Sequence, residues 1–212
     1  MLDIDHGDYP FVTSSSPTSG GALTGLGFGP LYVDRVVGVT KCASARASAP
    51  VRCRLALSGA LGDRLRGTGE HFWDEYGGID DGRPRRCGWL DTVMLRYAAE
   101  VSGFTDMVMT KLDVLSGFET LQIATSYDLD GAVIDYLPVT TAEQNRVKPV
   151  YETVAGWSED IGGRGAGAIC RMRHASISTG SRRCAARRSI PSAWDRNAIN
   201  CASPLTQTRR HE

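Results

Sequence analysis

What this chain lacks narrows it quickly. Lys+Arg and Asp+Glu both number 24, so there is no net charge. That removes the basic balance by which a domain attracts nucleic acid or an anionic membrane surface. No apolar run approaches the ~18 residues of a membrane-crossing helix, so none is expected. Met1 is followed by Asp3 and Asp5, not by a basic and apolar leader. No signal peptide is therefore expected, and a cytoplasmic location follows by default. The six cysteines contain no C-x-x-C pair, which removes the usual zinc and redox spacings, and no secretory feature supports a disulfide framework. No segment recurs at a fixed period. What remains is a chain of 212 residues, enough for one sizeable core or a large part of a bigger one.

The pattern that is present is mixed α/β. Residues 1–30 read as extended or loop structure ending in a glycine-rich stretch, Gly20-Gly21 and Gly25-Leu-Gly-Phe-Gly29. Pro30 suits the first turn of a helix, and Tyr32, Val33, Val36 and Val37 continue it as an apolar stripe at helical spacing. A second helix is predicted over about 57–67, with Leu57, Leu61 and Leu65 one turn apart. A third places Trp89, Leu90, Val93, Met94, Tyr97, Ala98 and Val101 on one face, with Gly103 at its end. Asp106–Thr110 reads as a strand. Residues 121–127 and 132–137 read as two β runs around Asp130-Gly131, a hairpin signal. The expectation is a mixed sheet with flanking helices.

The character changes near Gly162. Residues 164–212 contain ten Arg but only two acids, Asp195 and Glu212, with no sustained apolar period. Residues 162–212 are expected to be an aberrant, disordered basic tail.

One short pattern carries chemistry. Thr110-Lys111-Leu112-Asp113 follows the apolar run Met107–Met109, where ligands of open α/β sheets sit, outside the carboxyl ends of strands. A carboxylate there can accept hydrogen bonds from guanine N1 and N2, a donor pair that adenine lacks. A Lys two residues earlier can lay its stem along the base. Standing alone, four residues of this kind fit a solvated loop better.

They do not stand alone. Met1-Leu-Asp-Ile-Asp-His-Gly7, Tyr9-Pro-Phe-Val-Thr-Ser-Ser15, Gly82-Arg-Pro-Arg-Arg-Cys-Gly-Trp89, Thr110-Lys-Leu-Asp-Val-Leu115 and Pro149-Val-Tyr-Glu-Thr153 through Gly156-Trp157 follow in that order. Together they resemble the adenylosuccinate synthetase family of purine-pathway ligases over most of 1–41 and 57–161. The resemblance implies that family's fold, of which this would be an incomplete portion, and its reaction. GTP phosphorylates the 6-oxygen of IMP, and the amine of L-aspartate then displaces the phosphate. It implies GTP as co-substrate, Mg2+ as cofactor, IMP and L-aspartate as partners, a homodimer in the intact family, and no nucleic-acid or membrane partner.

Roles carry over residue by residue. Lys111, Leu112 and Asp113 match the guanine-reading loop, and Arg85 matches an arginine that reaches GTP. Ile79, Asp80, Asp81, Gly82, Arg83, Pro84 and Arg85 match the aspartate-binding loop, where guanidinium forks suit a dianion. Arg83 and Thr13 match IMP contacts. Without the flanking Gly82 and Cys87-Gly88-Trp89, the run Arg83-Pro-Arg-Arg86 would read as a solvated basic loop. Thr13 beside Ser14 and Ser15 would read as a turn. The glycines at 20–29 could let backbone amides approach an anion, or simply serve a tight turn. Asp3, Asp5 and His6 match structural support, not a metal or acid–base group.

The departures from the family pattern matter as much. The phosphate loop, the base Asp that also binds magnesium and the acid His have no match here. Catalytic residues and metal ligands are therefore expected outside this sequence, and the 212-residue chain alone is expected to be inactive. The usual Thr-Thr-Gly-Arg is Asp80-Asp81-Gly82-Arg83, whose carboxylates would repel a dianion. Residues 42–56 diverge, and Ser178-Thr-Gly180 falls too early after Trp157 to match the family's last guanine contact. Cys42, Cys53, Cys170, Cys184 and Cys201 all lie in divergent stretches; only Cys87 lies in a matching block. Read one base over with GC-rich codons, Ala45–Arg54 can yield the family's Arg-Val-Gly segment, and 174–201 its last helix. Both are therefore expected to be frameshift products, which accounts for the excess Arg, Cys and Ser together. The alternative is a non-catalytic remnant binding guanine nucleotide, or RNA phosphates through its Arg-rich tail.

Overall fold

In the computed structural model, the residues described are 3–7, 9, 12–45, 56–67, 75, 84–159 and 170–173. Four α-helices are found among them: α1 (Ser19–Leu26), α2 (Gly59–Arg66), α3 (Thr92–Ser102) and α4 (Thr141–Gln144). Nine strands accompany them: β1 (Val37–Lys41), β2 (Ser44–Ala45), β3 (Cys87–Gly88), β4 (Leu90–Asp91), β5 (Asp106–Thr110), β6 (Phe118–Leu129), β7 (Ala132–Ile134), β8 (Lys148–Trp157) and β9 (Cys170–Arg173). The expected mixed α/β class is observed, with parallel and antiparallel pairing side by side.

Three ladders organise the strands. β1 and β5 run parallel, Val37 opposite Asp106 and Lys41 opposite Thr110, and β9 lies antiparallel on the other edge of β5. β2 and β3 form a short antiparallel pair. The long strand β6 takes β8 antiparallel along one edge, and β4 (parallel) then β7 along the other. The β6–β7 turn is the expected one, with Asp130 at φ 54° and Gly131 at φ 90°. Two left-handed residues match the twist of the flanking strands. Asp128 Oδ1 accepts the Gly131 amide at 2.7 Å and holds the turn.

One apolar core joins these elements. Cys42, Leu65, Cys87, Trp89, Met107, Met109, Leu112, Leu115, Phe118 and Ile123 are buried together. A smaller cluster of Val93, Ala124, Tyr127 and Val147 lies under α3. Burial of this kind contributes roughly 25 cal/mol per Å² of apolar area. α3 starts where it does because Asp91 caps it, its Oδ1 accepting the amides of Val93 and Met94 at 3.0 and 3.1 Å. Its other oxygen accepts the Tyr127 hydroxyl at 2.6 Å, tying the helix to β6. Gly103 ends the helix in the left-handed region, φ 62°.

Four expectations are corrected. Residues 1–30 are not only loop: α1 forms at Ser19–Leu26, with the Thr18 hydroxyl accepting the Gly21 amide at 3.3 Å. A Cβ on Gly21 would sit 2.2 Å from the Ser16 carbonyl, so this glycine serves close chain approach. The helix expected from Pro30 is a single 3₁₀ turn, Pro30–Tyr32, and Val37 already belongs to β1. Leu31 and Tyr32 are 96% and 81% exposed, Tyr32 meeting the Phe28 ring edge-on, while the β-branched Val36, Val37, Val39 and Thr40 favour the strand. Trp89 and Leu90 precede α3, because the cap at Asp91 fixes its start. Finally, the stretch expected to be a disordered tail contains β9 at Cys170–Arg173. The alternation Cys-Arg-Met-Arg has the period of a strand, and β5 offers it an edge. The rest of 162–212, and 46–55 with it, lies outside the described residues.

Candidate functional site

The parallel pair β1/β5 aligns two chain ends. Because Lys41 is opposite Thr110, the residues after both strands emerge together at the carboxyl edge. Lys111 leaves β5 with φ 61° and ψ 34°, a left-handed conformation that costs a non-glycine residue roughly 1 kcal/mol. This turn starts the 3₁₀ segment Leu112–Leu115. Leu112 and Leu115 are buried in the core beneath, so the Thr110–Asp113 loop is anchored from below. Cys42 fixes it from the side: its amide donates to the Thr110 carbonyl at 3.0 Å, and its thiol donates to the Lys111 carbonyl. Burial, with Asp113's charge added, pushes the Cys42 thiol up to about 12, so it serves as a neutral donor here. Asp113 is half-buried, and among the described residues its carboxylate takes no hydrogen bond or ion pair.

A buried carboxylate gathers the cations of the site. The Glu75 side chain is 4% exposed, and its Oε1 accepts from Lys41 Nζ and Lys111 Nζ, each at 2.5 Å. Its Oε2 lies 3.6 Å from Arg85 Nη1 and takes no hydrogen bond among the described residues. Burial pushes the Glu75 pKa up, but the hydrogen bonds from Lys111 and Lys41 outweigh it and hold the group below its ordinary range. Backbone bonds seat Glu75 between its neighbours: its amide donates to the Arg66 carbonyl at 2.8 Å, and its carbonyl accepts the Arg85 amide at 2.9 Å. Arg66 Nε donates to the Arg85 carbonyl at 2.7 Å, so α2 also braces this loop. Beside it, Arg64 stacks on the Phe118 ring, 3.9 Å from the centroid, and donates to the Ser116 carbonyl.

Of the residues expected to bind ligands, the structure brings together Lys111, Leu112 and Asp113 of one loop with Arg85 of another. Pro84 is exposed at the end of the second loop. Ile79, Asp80, Asp81, Gly82 and Arg83 lie outside the described residues. Thr13 is half-buried in the first loop, its Oγ1 2.6 Å from Ser15 Oγ. Nearby, Asp3 is buried and its Oδ1 accepts the amides of Asp5 and His6 at 3.0 and 2.8 Å. The His6 amide is the main cause holding its carboxyl below the usual range. That is a turn-stabilising role, in keeping with structural support.

Sequence reasoning missed Glu75 and Lys41. Neither belongs to a recognisable motif, and a lone Glu far from both lysines in the chain carries no signal of being their shared partner. Lys41 could have been found from its place at the end of a β-branched run, had that run been read as a strand.

Known proteins frame this geometry. The family model for adenylosuccinate synthetase matches residues 1–167. An adenylosuccinate synthetase from Fusobacterium nucleatum subsp. nucleatum is 49% identical over 162 residues, 76% of this chain and 36% of that protein. One from Myxococcus xanthus is 50% identical over 164 residues, 77% of this chain and 36% of that protein. A solved structure of fully ligated adenylosuccinate synthetase from Plasmodium falciparum superposes with a TM-score of 0.67 at 39% identity. It covers 76% of this chain and 37% of its own. The chain thus spans about 36% of the length of the relatives it matches.

Proposed function

The chain belongs to the adenylosuccinate synthetase family, and from that membership we propose that it supplies the guanine-reading side of a GTP-dependent ligase joining IMP to L-aspartate. The observation that carries the reading is the Thr110–Asp113 loop at the carboxyl edge of β1/β5. A half-buried carboxylate without a described partner is poised for two donors, and the Lys111 stem stands beside it. Arg85, 3.6 Å from Glu75 in the same cluster, is the group that reaches toward the nucleotide and the aspartate carboxylates. Arg83 and Thr13 are assigned to IMP, and Ile79 to Arg85 to the aspartate loop.

Magnesium is the cofactor of this reading. Among the described residues, no group of three or more His, Cys, Asp or Glu side chains could hold a metal ion, so no step is routed through one in this chain. The chain's own contribution is recognition: Asp113 selects the base, Lys111 covers it, and Arg85 holds anionic groups. The 212 residues alone do not complete the reaction in this reading, because they span only 36% of a relative's length.

Competition binding tests it. The chain binds GTP or GDP more tightly than ATP, and Asp113→Asn removes that preference, a loss of about 1–3 kcal/mol of discrimination. An amide cannot accept both guanine donors. Equal affinity of the unsubstituted chain for GTP and ATP would sink the assignment.

A further inference from the structure

Three cations from three separate segments converge on one buried carboxylate. Lys41 ends β1, Lys111 follows β5, and Arg85 lies in the loop before β3. Their charged atoms lie 2.5, 2.5 and 3.6 Å from Glu75 oxygens. The side chain of Glu75 is 4% exposed, whereas those of Lys41, Lys111 and Arg85 are 39%, 21% and 28% exposed. The carboxylate therefore lies inside, and each cation is more exposed than the group it pairs with.

We propose that Glu75 is a positioning and specificity residue, which ties the Lys111–Asp113 loop to the Arg85 loop and neutralises their cations so that nucleotide is selected by its base, not by its phosphates. The proposal rests on the guanine-reading assignment of that loop.

The physical argument has two parts. Lys111 is held by a strained, left-handed backbone and by a charge-assisted bond to Glu75, so its long stem has one direction instead of many. That fixes the lateral wall against which a purine would lie. Lys41 and Arg85 are drawn to the same carboxylate, so movement of either loop is felt by the other. The second part is charge. Three cations without Glu75 would attract any polyphosphate, guanine or not. With Glu75 in place the local charge falls by one, and non-selective anion binding is weakened. Glu75 touches no substrate in this account; it acts through Lys111, Lys41 and Arg85.

The test uses the full chain and two variants, Glu75→Gln and Glu75→Asp, with three probes: GTP, ATP and inorganic tripolyphosphate. Glu75→Gln is expected to bind tripolyphosphate about tenfold more tightly, the order expected for one fewer negative charge near a polyanion. Its GTP:ATP preference is expected to collapse, with both nucleotides gaining affinity. Glu75→Asp keeps the charge but is one methylene shorter. It should leave tripolyphosphate affinity unchanged and lower the GTP:ATP preference, a split that a merely structural role would not give. Unchanged tripolyphosphate affinity in a folded Glu75→Gln chain overturns the proposal. If Glu75→Gln does not fold, Glu75→Asp decides: an unchanged GTP:ATP ratio overturns it. If the unsubstituted chain shows no GTP preference, the guanine reading fails, and Glu75 is judged on tripolyphosphate alone.

Discussion

At the scale of single residues, the buried polar groups fix the geometry. Asp91 is the clearest case. One oxygen caps α3 and the other accepts the Tyr127 hydroxyl at 2.6 Å, with Tyr127 fully buried. Tyr127→Phe removes this donor and takes one hydrogen bond from a buried carboxylate. Urea unfolding should show a loss of about 1–3 kcal/mol with an unchanged slope. A loss under about 0.5 kcal/mol would mean that water or another group replaces the hydroxyl. Glu75 makes a second residue-scale prediction through pH. Its folded pKa lies below the ordinary 4.5, so its contribution is present above that value and lost as pH falls through the folded pKa. The acid limb of the stability profile should flatten in Glu75→Gln; an acid limb identical to that of the parent would contradict this.

At the scale of elements, the ladder β1/β5 carries the site, and its fit depends on one glycine. A Cβ on Gly38 would lie 2.4 Å from the Phe104 ring, which packs against the core just before β5. Gly38→Ala should force the ring or the strand to shift, costing about 1–3 kcal/mol and loosening the Lys41–Thr110 alignment. Thermal unfolding checks the first effect; a melting temperature equal to the parent's would show that the ring yields freely. The same element explains what the sequence could and could not reveal. β5, α2 and the Asp130-Gly131 hairpin were legible because their signals are local: an apolar run, leucines one turn apart, a turn dipeptide. β1 was not, because Tyr32, Val33, Val36 and Val37 fit a helical period while their β-branching favours a strand. β8 was hidden by Pro149, which argues against a strand but is tolerated at the end of the ladder, opposite Tyr127. The Lys111–Asp113 loop was legible as a motif. Its link to Glu75 was not, since 36 residues of chain separate that pair.

At the scale of the whole molecule, the chain spans 36% of a family relative's length, and in the reading proposed above its share of the work is recognition. Groups that move protons and phosphate contribute many powers of ten to such a reaction. The purified 212-residue chain, given IMP, L-aspartate, GTP and magnesium, should form no measurable adenylosuccinate. Product formation that depends on all three substrates would contradict this. The most direct test of the central claim, that the edge of β1/β5 reads guanine, is the amide spectrum of the chain titrated with GDP and separately with ADP. The account predicts that GDP shifts the resonances of Lys41, Cys42, Arg85, Lys111, Leu112 and Asp113, and that ADP at equal concentration leaves them in place. Shifts of equal size with both nucleotides, or GDP shifts that spare Lys111 and Asp113, would contradict it.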